Sequence, residues 1–225
     1  MELNTFVNDG PAAPSATVVV LRDGAGDIEV FLLRRHGQSD VLGGAYVFPG
    51  GKADREDAEW ASRLDRPPSE LHALLGEPEL GEDEAAALFV TAIRELFEET
   101  GLLLADVTPQ QASQAWAMLR EGPRFDELLG PMDVRLSAGL LHPWSRWITP
   151  RLSSVTRKRF DTRFFVATVP PGQEARHDQH EATEGVWLTP RAALQDYWDG
   201  RIELAPPQIM SLAHLARHRT VASVL

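Results

Sequence analysis

Runs of apolar residues along the chain predict several strands. Residues 16–21 and 28–34 are rich in β-branched and aliphatic side chains, and residues 23–26 between them, Asp-Gly-Ala-Gly, are typical of a hairpin turn. Further runs of this kind predict strands at residues 45–48, 140–148, 162–168 and 186–188.

A longer segment, residues 81–100, repeats apolar side chains at the spacing of an α-helix. The repeat consists of Leu88, Phe89, Ala92, Ile93, Leu96 and Phe97, which would form one core-facing stripe. Gly101 follows at the C′ position, where a residue in the left-handed conformation often ends a helix. Further helices are predicted to begin near Ser69 and to cover residues 109–120 and 125–129. Strands and helices together indicate an α/β chain.

Three carboxylates share one flank of the predicted 81–100 helix. Glu95, Glu98 and Glu99 stand at positions i, i+3 and i+4, where like charges repel and destabilise a helix. A hard divalent cation such as Mg²⁺, with phosphate oxygens completing its coordination, would supply the missing counter-charge. The alternative is a solvated acidic helix face.

The residues around this helix favour the metal-binding interpretation. Residues 48–52, Phe-Pro-Gly-Gly-Lys, follow a predicted strand, and a Pro-Gly-Gly corner allows the chain to approach a ligand closely. Residues 94–102, Arg-Glu-Leu-Phe-Glu-Glu-Thr-Gly-Leu, follow further along the chain. Gly51 and this second segment resemble the two ends of the Nudix hydrolase signature.

The middle of the signature departs from the family pattern. The family has a glutamate six residues after its glycine, and Asp57 holds that position here. About 29 extra residues then precede Arg94, so residues 58–83 form a helical insertion within the Nudix box. Asp57 is the first candidate for the missing acid and Glu84 is the second.

The resemblance extends to one branch of the family, which includes the acyl-CoA diphosphatases of animal peroxisomes. It is carried by residues 31–35, 147–150 and 159–165 and covers roughly residues 14–210. It implies a Nudix-type α/β/α sandwich with a mixed β-sheet, and hydrolysis of a phosphoanhydride bond in a nucleoside diphosphate linked to X, with Mg²⁺ or Mn²⁺ as cofactor. CoA or acyl-CoA is the implied substrate. ADP-ribose, nucleotide sugars and dinucleotides are alternatives, and a nucleotide-sensing protein without turnover is the alternative from another class.

The same resemblance implies roles for the residues of the box. Glu98 and Glu99, with the carbonyl group of Gly50, would bind the metal. Glu95 would bind metal or accept a proton from the attacking water. Arg94 would hold a carboxylate in place, because it lies one helical turn before Glu98.

The polar loop at residues 173–184 is expected to supply one further acid, as the late loop often does in the family. Glu184 and Glu181 are the candidates, and Glu184 lies closer to the following strand.

Several arginines are candidates for binding the phosphates of the substrate. Arg34 and Arg35 end a predicted strand. Residues 156–159, Thr-Arg-Lys-Arg, are a dense basic run, and Arg159 and Arg163 flank a Phe-Asp-Thr segment that recurs in the branch. Guanidinium groups bind phosphate in bidentate fashion, and the alternative for each residue is solvent exposure.

Composition limits the remaining possibilities. The 225 residues, 43% of them hydrophobic, suit one domain covering residues 1–225. The net charge of −11 argues against a general nucleic-acid binder, and no apolar run approaches the length of a membrane span. No secretory signal is evident at the N-terminus, so a cytoplasmic protein is expected, without a membrane partner. The insertion is a candidate lid, a candidate homodimer contact or decoration.

Overall fold

The computed structural model describes residues 8–38, 42–151, 158–178 and 182–225. The strands are β1 (Ala13–Asp23), β2 (Ile28–Arg35), β3 (Tyr46–Val47), β4 (Gly50–Lys52), β5 (His142–Ile148), β6 (Phe160–Thr168) and β7 (Ala182–Leu188). The α-helices are α1 (Pro68–Leu75), α2 (Glu82–Thr100), α3 (Pro109–Leu119), α4 (Phe125–Leu129), α5 (Pro190–Trp198) and α6 (Pro206–Leu215). Shorter 3₁₀ helices cover Arg55–Arg63, Gly130–Met132, Ala138–Leu140 and Val221–Ser223.

β1 lies at the centre of a mixed sheet with the order β3-β2-β1-β6-β5. It runs parallel to β6 along one edge, while β2 and β4 pair antiparallel to different parts of its other edge. β7 pairs antiparallel with β2. This arrangement brings the Gly-Gly-Lys segment of β4 beside the start of β1, in the middle of the sheet.

Apolar side chains cover both faces of the sheet. Along β1, Val18 and Val20 pack on the face that α2 covers, whereas Val19 and Leu21 pack on the opposite face with residues of α5 and α6. The alternation follows from the two-residue period of a strand, and burial on both faces explains why β1 is almost continuously apolar. The predicted α/β/α sandwich with a mixed sheet is confirmed.

The insertion packs against α2 on the same side of the sheet. It consists mainly of the end of the 3₁₀ helix Arg55–Arg63 and of α1, which begins with proline and ends at Gly76 in the left-handed conformation (φ 66°). Trp60, Leu64 and Leu71 are buried in the α2-side core. The insertion is therefore an integral part of the α2 layer.

Ion pairs fix the far end of the insertion to the edge of the sheet. Glu77, just after α1, accepts hydrogen bonds from Arg163 on β6 at 2.6 and 3.1 Å and pairs with Arg146 on β5 at 2.7 Å. Asp161 pairs with both arginines, and Glu79 pairs with Arg146.

Most predicted elements are present with shifted ends. β7 is longer than predicted, and the predicted strand at residues 140–148 begins at His142, after a 3₁₀ turn. The 3₁₀ helix Arg55–Arg63 was not predicted. Among the described residues, no helix combines the length and the apolar character needed to span a membrane.

Candidate active site

α2 presents the three predicted carboxylates beside a guanidinium group. Nη1 of Arg94 donates hydrogen bonds to Glu95 at 2.8 Å and to Glu98 at 3.0 Å. The predicted contact of Arg94 with a carboxylate one turn away is therefore present, and it extends to Glu95. Glu99 is buried on the same helix.

Asp57 holds Arg94 from the other side. Its carboxylate accepts hydrogen bonds from Nε of Arg94 at 2.7 Å and from Nη2 at 3.1 Å, and its side chain is only 2% exposed. The Thr91 hydroxyl and the Asp54 amide also donate to Asp57, at 2.7 and 2.9 Å. Burial alone would lower the pKa of Arg94, but the hydrogen bond to Asp57 and the surrounding carboxylates outweigh burial and raise this pKa. Arg94 is therefore a permanent cation.

Between the two candidates for the first box acid, the structure brings Asp57 to Arg94. Glu84 instead accepts a hydrogen bond from the Gly81 amide at 3.0 Å and caps the start of α2.

Gly50 and Gly51 allow β4 to lie close to both β1 and α2. A Cβ atom on Gly50, whose φ is 156°, would lie 2.6 Å from the Thr17 Cα, and one on Gly51 would lie 2.5 Å from the Glu95 carboxylate. The Gly50 amide donates to Glu99 at 2.9 Å. The structure thus places Gly50 beside Glu99 through its amide, and coordination by its carbonyl group stays a prediction.

Glu98 lines a cleft of about 370 Å³ between α2, the 3₁₀ helix Arg55–Arg63 and α4. The lining residues are Asp54, Glu56, Asp57, Trp60, Arg94, Glu98, Arg124, Phe125 and Asp126. Burial raises the pKa of Glu98 above its usual value, although Arg94 opposes this shift. A cation in the cleft would relieve the cost of keeping this carboxylate ionised.

The last carbonyl groups of α2 are capped by distant segments. The Trp116 indole donates to the Glu98 carbonyl at 3.3 Å, and the amides of Asp178 and Arg176 donate to the carbonyls of Glu99 and Thr100 at 3.1 and 2.9 Å. Trp116 also belongs to the core on the α2 side, and no sequence pattern signals its contact with the end of α2. Gly101 marked the end of the helix but gave no signal for the partners of its carbonyl groups.

The described contacts of Glu184 are with β2 and β3, and its role as a metal ligand stays a prediction. Glu184 lies opposite Arg34 in the register of β7 with β2, and it accepts a hydrogen bond from the Tyr46 hydroxyl at 2.7 Å. Tyr46 belongs to the core on the sheet face opposite α2. Burial, with a contribution from Glu184, raises the pKa of Tyr46 to about 12. Glu181, the other candidate, lies outside the described residues.

None of the four arginines predicted to bind phosphate lines the cleft. Arg34 is exposed and Arg35 is half-buried at the end of β2. Arg159 donates to the carbonyl groups of Gly10 and Thr149, and Arg163 is buried in its ion pairs with Glu77 and Asp161. Both are engaged within the protein, and their contact with substrate stays a prediction. The start of the predicted basic run, residues 156–157, lies outside the described residues.

The donor set fits a hard divalent cation in its chemistry. Glu95, Glu98 and Glu99 offer carboxylate oxygens, and the partly buried Glu98 side chain lines an open cleft. Within the described part of the chain, no group of three or more acidic or histidine side chains is already gathered as a metal site. Arg94 occupies part of the space between Glu95 and Glu98 as their present counter-charge.

The sheet order, α2 and its Arg94-centred carboxylates define a Nudix hydrolase fold and site. A Nudix hydrolase from Alicyclobacillus acidocaldarius shares this fold, with a TM-score of 0.76 and 33% identity over 96% of each chain. The model of the NUDT19 Nudix domain matches residues 10–215, and the chain belongs to this family.

The chain is similar to curated proteins named acyl-coenzyme A diphosphatase NUDT19, among them those of Xenopus laevis and Homo sapiens. The Xenopus laevis protein is 30% identical, over 84% of this chain and 60% of that protein. The Homo sapiens protein is 27% identical, over 87% of this chain and 62% of that protein. The chain thus spans about three fifths of the length of these relatives. Nudix hydrolases generally use divalent metal ions.

Proposed function

We propose that this chain is a metal-dependent diphosphatase that hydrolyses CoA or acyl-CoA. The observation that carries the proposal is that Arg94, fixed by Asp57, holds the carboxylates of Glu95 and Glu98, and that Glu98 lines an open cleft. The names of the relatives support CoA as the substrate class. ADP-ribose, nucleotide sugars and dinucleotides share the diphosphate group and are the competing substrates.

In the proposed reaction, water attacks one phosphorus atom of the diphosphate. The bond from that phosphorus to the bridging oxygen breaks, and the second phosphate leaves with this oxygen. Mg²⁺ or Mn²⁺ would neutralise charge on the phosphates and lower the pKa of the attacking water.

The side chains of α2 divide the remaining work. Glu98 and Glu99 would hold the metal, and Glu95 would hold it or accept the proton that water loses. Arg94 acts as a positioning residue, because its guanidinium contacts Glu95 and Glu98 while Asp57 fixes it in turn. Gly51 leaves room for the Glu95 carboxylate.

The experiment is a product assay with Mg²⁺ or Mn²⁺ across CoA, acyl-CoA, ADP-ribose, NADH and nucleotide sugars. With CoA we expect 3′,5′-ADP and a phosphopantetheine product. Glu98→Gln should lower kcat at least about a hundredfold. Loss of a residue that only supports a metal ligand already lowers activity by up to about a hundredfold, and Glu98 would be a ligand itself. Glu82→Gln, an exposed carboxylate at the start of the same helix, is the matched control and should retain activity.

Other outcomes redirect the proposal. Turnover of another diphosphate alone would keep the mechanism and reject CoA. If no substrate yields a metal-dependent product, the hydrolase proposal is overturned, and nucleotide sensing without turnover becomes the better explanation.

A further inference from the structure

The cleft beside Glu98 has an unfavourable charge balance for an anionic substrate. Five carboxylates line it, from Asp54, Glu56, Asp57, Glu98 and Asp126, together with two guanidinium groups. A diphosphate that enters meets mainly negative side chains, so recognition requires cations in addition to any metal held by α2.

The two arginines of the cleft differ in how free they are to bind a ligand. The Arg94 side chain is 10% exposed and is surrounded by the carboxylates that it positions, so it has little freedom to bind a ligand. Arg124 lies at the other wall with its side chain 55% exposed. Its partners, Glu56 at 3.1 Å and Asp126 at 3.2 Å, are themselves about two fifths exposed.

Exposed ion pairs of this kind are worth little, because water screens them and holding two long side chains costs entropy. A phosphate offers a guanidinium group two oxygens in a matching planar geometry and a higher charge than a carboxylate. Exchange of Glu56 and Asp126 for a phosphate is therefore favourable for Arg124.

We propose that Arg124 binds a phosphate group of the substrate in the cleft next to Glu98. This inference rests on the proposed function and names the residue that recognises the anionic part of its substrate. Trp60 and Phe125, packed edge to face at 5.2 Å, line the same cleft, so the insertion contributes one wall of the substrate site. The phosphate is either one of the diphosphate pair or the 3′-phosphate of CoA.

The test measures binding and turnover in parallel. Binding of ADP in the presence of Mg²⁺ is measured by calorimetry, and KM and kcat are measured for CoA and for dephospho-CoA. Arg124→Gln should weaken ADP binding or raise KM about five- to tenfold with kcat little changed, as loss of one exposed charge-assisted contact predicts. An effect on CoA alone identifies the 3′-phosphate, and an effect on all three ligands identifies the diphosphate.

Two control variants separate recognition from local structure. Arg201→Gln removes an arginine that is equally exposed (56%) and also holds two carboxylates, Asp196 and Asp199, but does not line the cleft. It should leave KM and binding unchanged. Glu56→Gln breaks the same ion pair as Arg124→Gln but keeps the cation and removes a negative charge. It should tighten binding about twofold if Arg124 binds phosphate, and weaken it if the pair only shapes the cleft.

The outcomes distinguish this inference from the proposed function. If the wild type turns over CoA and Arg124→Gln changes neither KM nor ADP affinity, the inference is overturned and the proposed function stands. Loss of ADP affinity in Arg124→Gln without turnover in the wild type supports the inference and rejects the function. Failure of the wild-type protein to bind ADP, CoA or dephospho-CoA overturns both.

Discussion

Arg94 joins the carboxylates of the site to the beginning of the insertion. On one side its guanidinium contacts Glu95 and Glu98, and on the other it contacts the buried Asp57. The aspartate that replaces the usual glutamate therefore still holds the arginine of the box. Removing one partner from a buried ion pair leaves the other charge without compensation.

Asp57→Ala should therefore destabilise the protein by about 3–5 kcal/mol, the usual cost of breaking a buried pair. Glu56→Ala, one residue earlier with a side chain 43% exposed, should change stability by less than about 0.5 kcal/mol. Urea unfolding of both variants measures the difference. Equal, small effects would show that Asp57 is dispensable for holding Arg94.

Gly51→Ala should lower kcat mainly by displacing the Glu95 side chain, while the protein remains folded. Its added methyl group would overlap the Glu95 carboxylate, which has to rotate away from its position beside Arg94. A drop of about ten- to a hundredfold is expected from misplacing a reacting group. Gly37→Ala, where an added Cβ meets nothing within 4 Å, is the control. Full activity in Gly51→Ala would show that Glu95 tolerates displacement.

The positions of some of these site residues follow from the local sequence, whereas the positions of others do not. Glu95, Glu98 and Arg94 share one helix, so their spacing fixes their neighbourhood. Asp57 could be placed by its distance from Gly51. The contacts of Glu184 could not be read from the sequence, because the face of a strand residue depends on the register of its pairing, and β2 and β7 pair with a shift between Arg34 and Arg35.

The sequence predicted the extent of the insertion, but it did not predict the contacts that join the insertion to the rest of the protein. The 3₁₀ helix Arg55–Arg63 buries only Asp57 and Trp60, and so few buried positions give no continuous apolar stripe to detect. The contact of Glu77 with Arg163 joins residues far apart in sequence and leaves no local pattern. By contrast, α1 could be predicted from the proline at its start and the glycine at its end.

The ion pairs at this attachment should make part of the stability depend on pH. Burial alone would raise the pKa of Asp161, but the hydrogen bond from Arg146 and the charges of Arg146 and Arg163 lower it below its ordinary value of 3.8. Since a carboxyl group with a lowered folded-state pKa binds fewer protons when folded, its contribution is present above about pH 3.8 and lost as pH falls through the folded pKa.

Asp161→Asn should therefore be less stable than the wild type at pH 7, and the difference in the free energy of unfolding should shrink below about pH 3.8. Urea unfolding across pH 3 to pH 7 measures it, with Asp106→Asn as an exposed control. A difference that stays constant down to pH 3 would contradict the role of these ion pairs.

The excess of negative charge on the chain links metal binding to overall stability. The net charge is −11, and the α2 carboxylates are a local part of this excess. A cation that binds only the folded protein stabilises it by mass action, by about 2.7 kcal/mol at a hundred times its dissociation constant.

Mg²⁺ or Mn²⁺ should raise Tm of the wild type at constant ionic strength, and should raise it much less in Glu98→Gln. Thermal unfolding monitored by circular dichroism measures both proteins, and Glu82→Gln should respond as the wild type does. Equal shifts in all three proteins would indicate general screening of the net charge, without a specific site on α2.

The parallel pairing of β1 with β6 affects how the chain folds during synthesis. The two strands are about 150 residues apart in sequence, so β1 leaves the ribosome long before its partner exists. At about 5–20 residues per second this interval lasts roughly 7–30 seconds. During that time the backbone groups of β1 that would pair with β6 have no partner, and its apolar side chains are exposed to other chains. Productive synthesis therefore depends on protecting this strand, and refolding in vitro should lose yield as protein concentration rises.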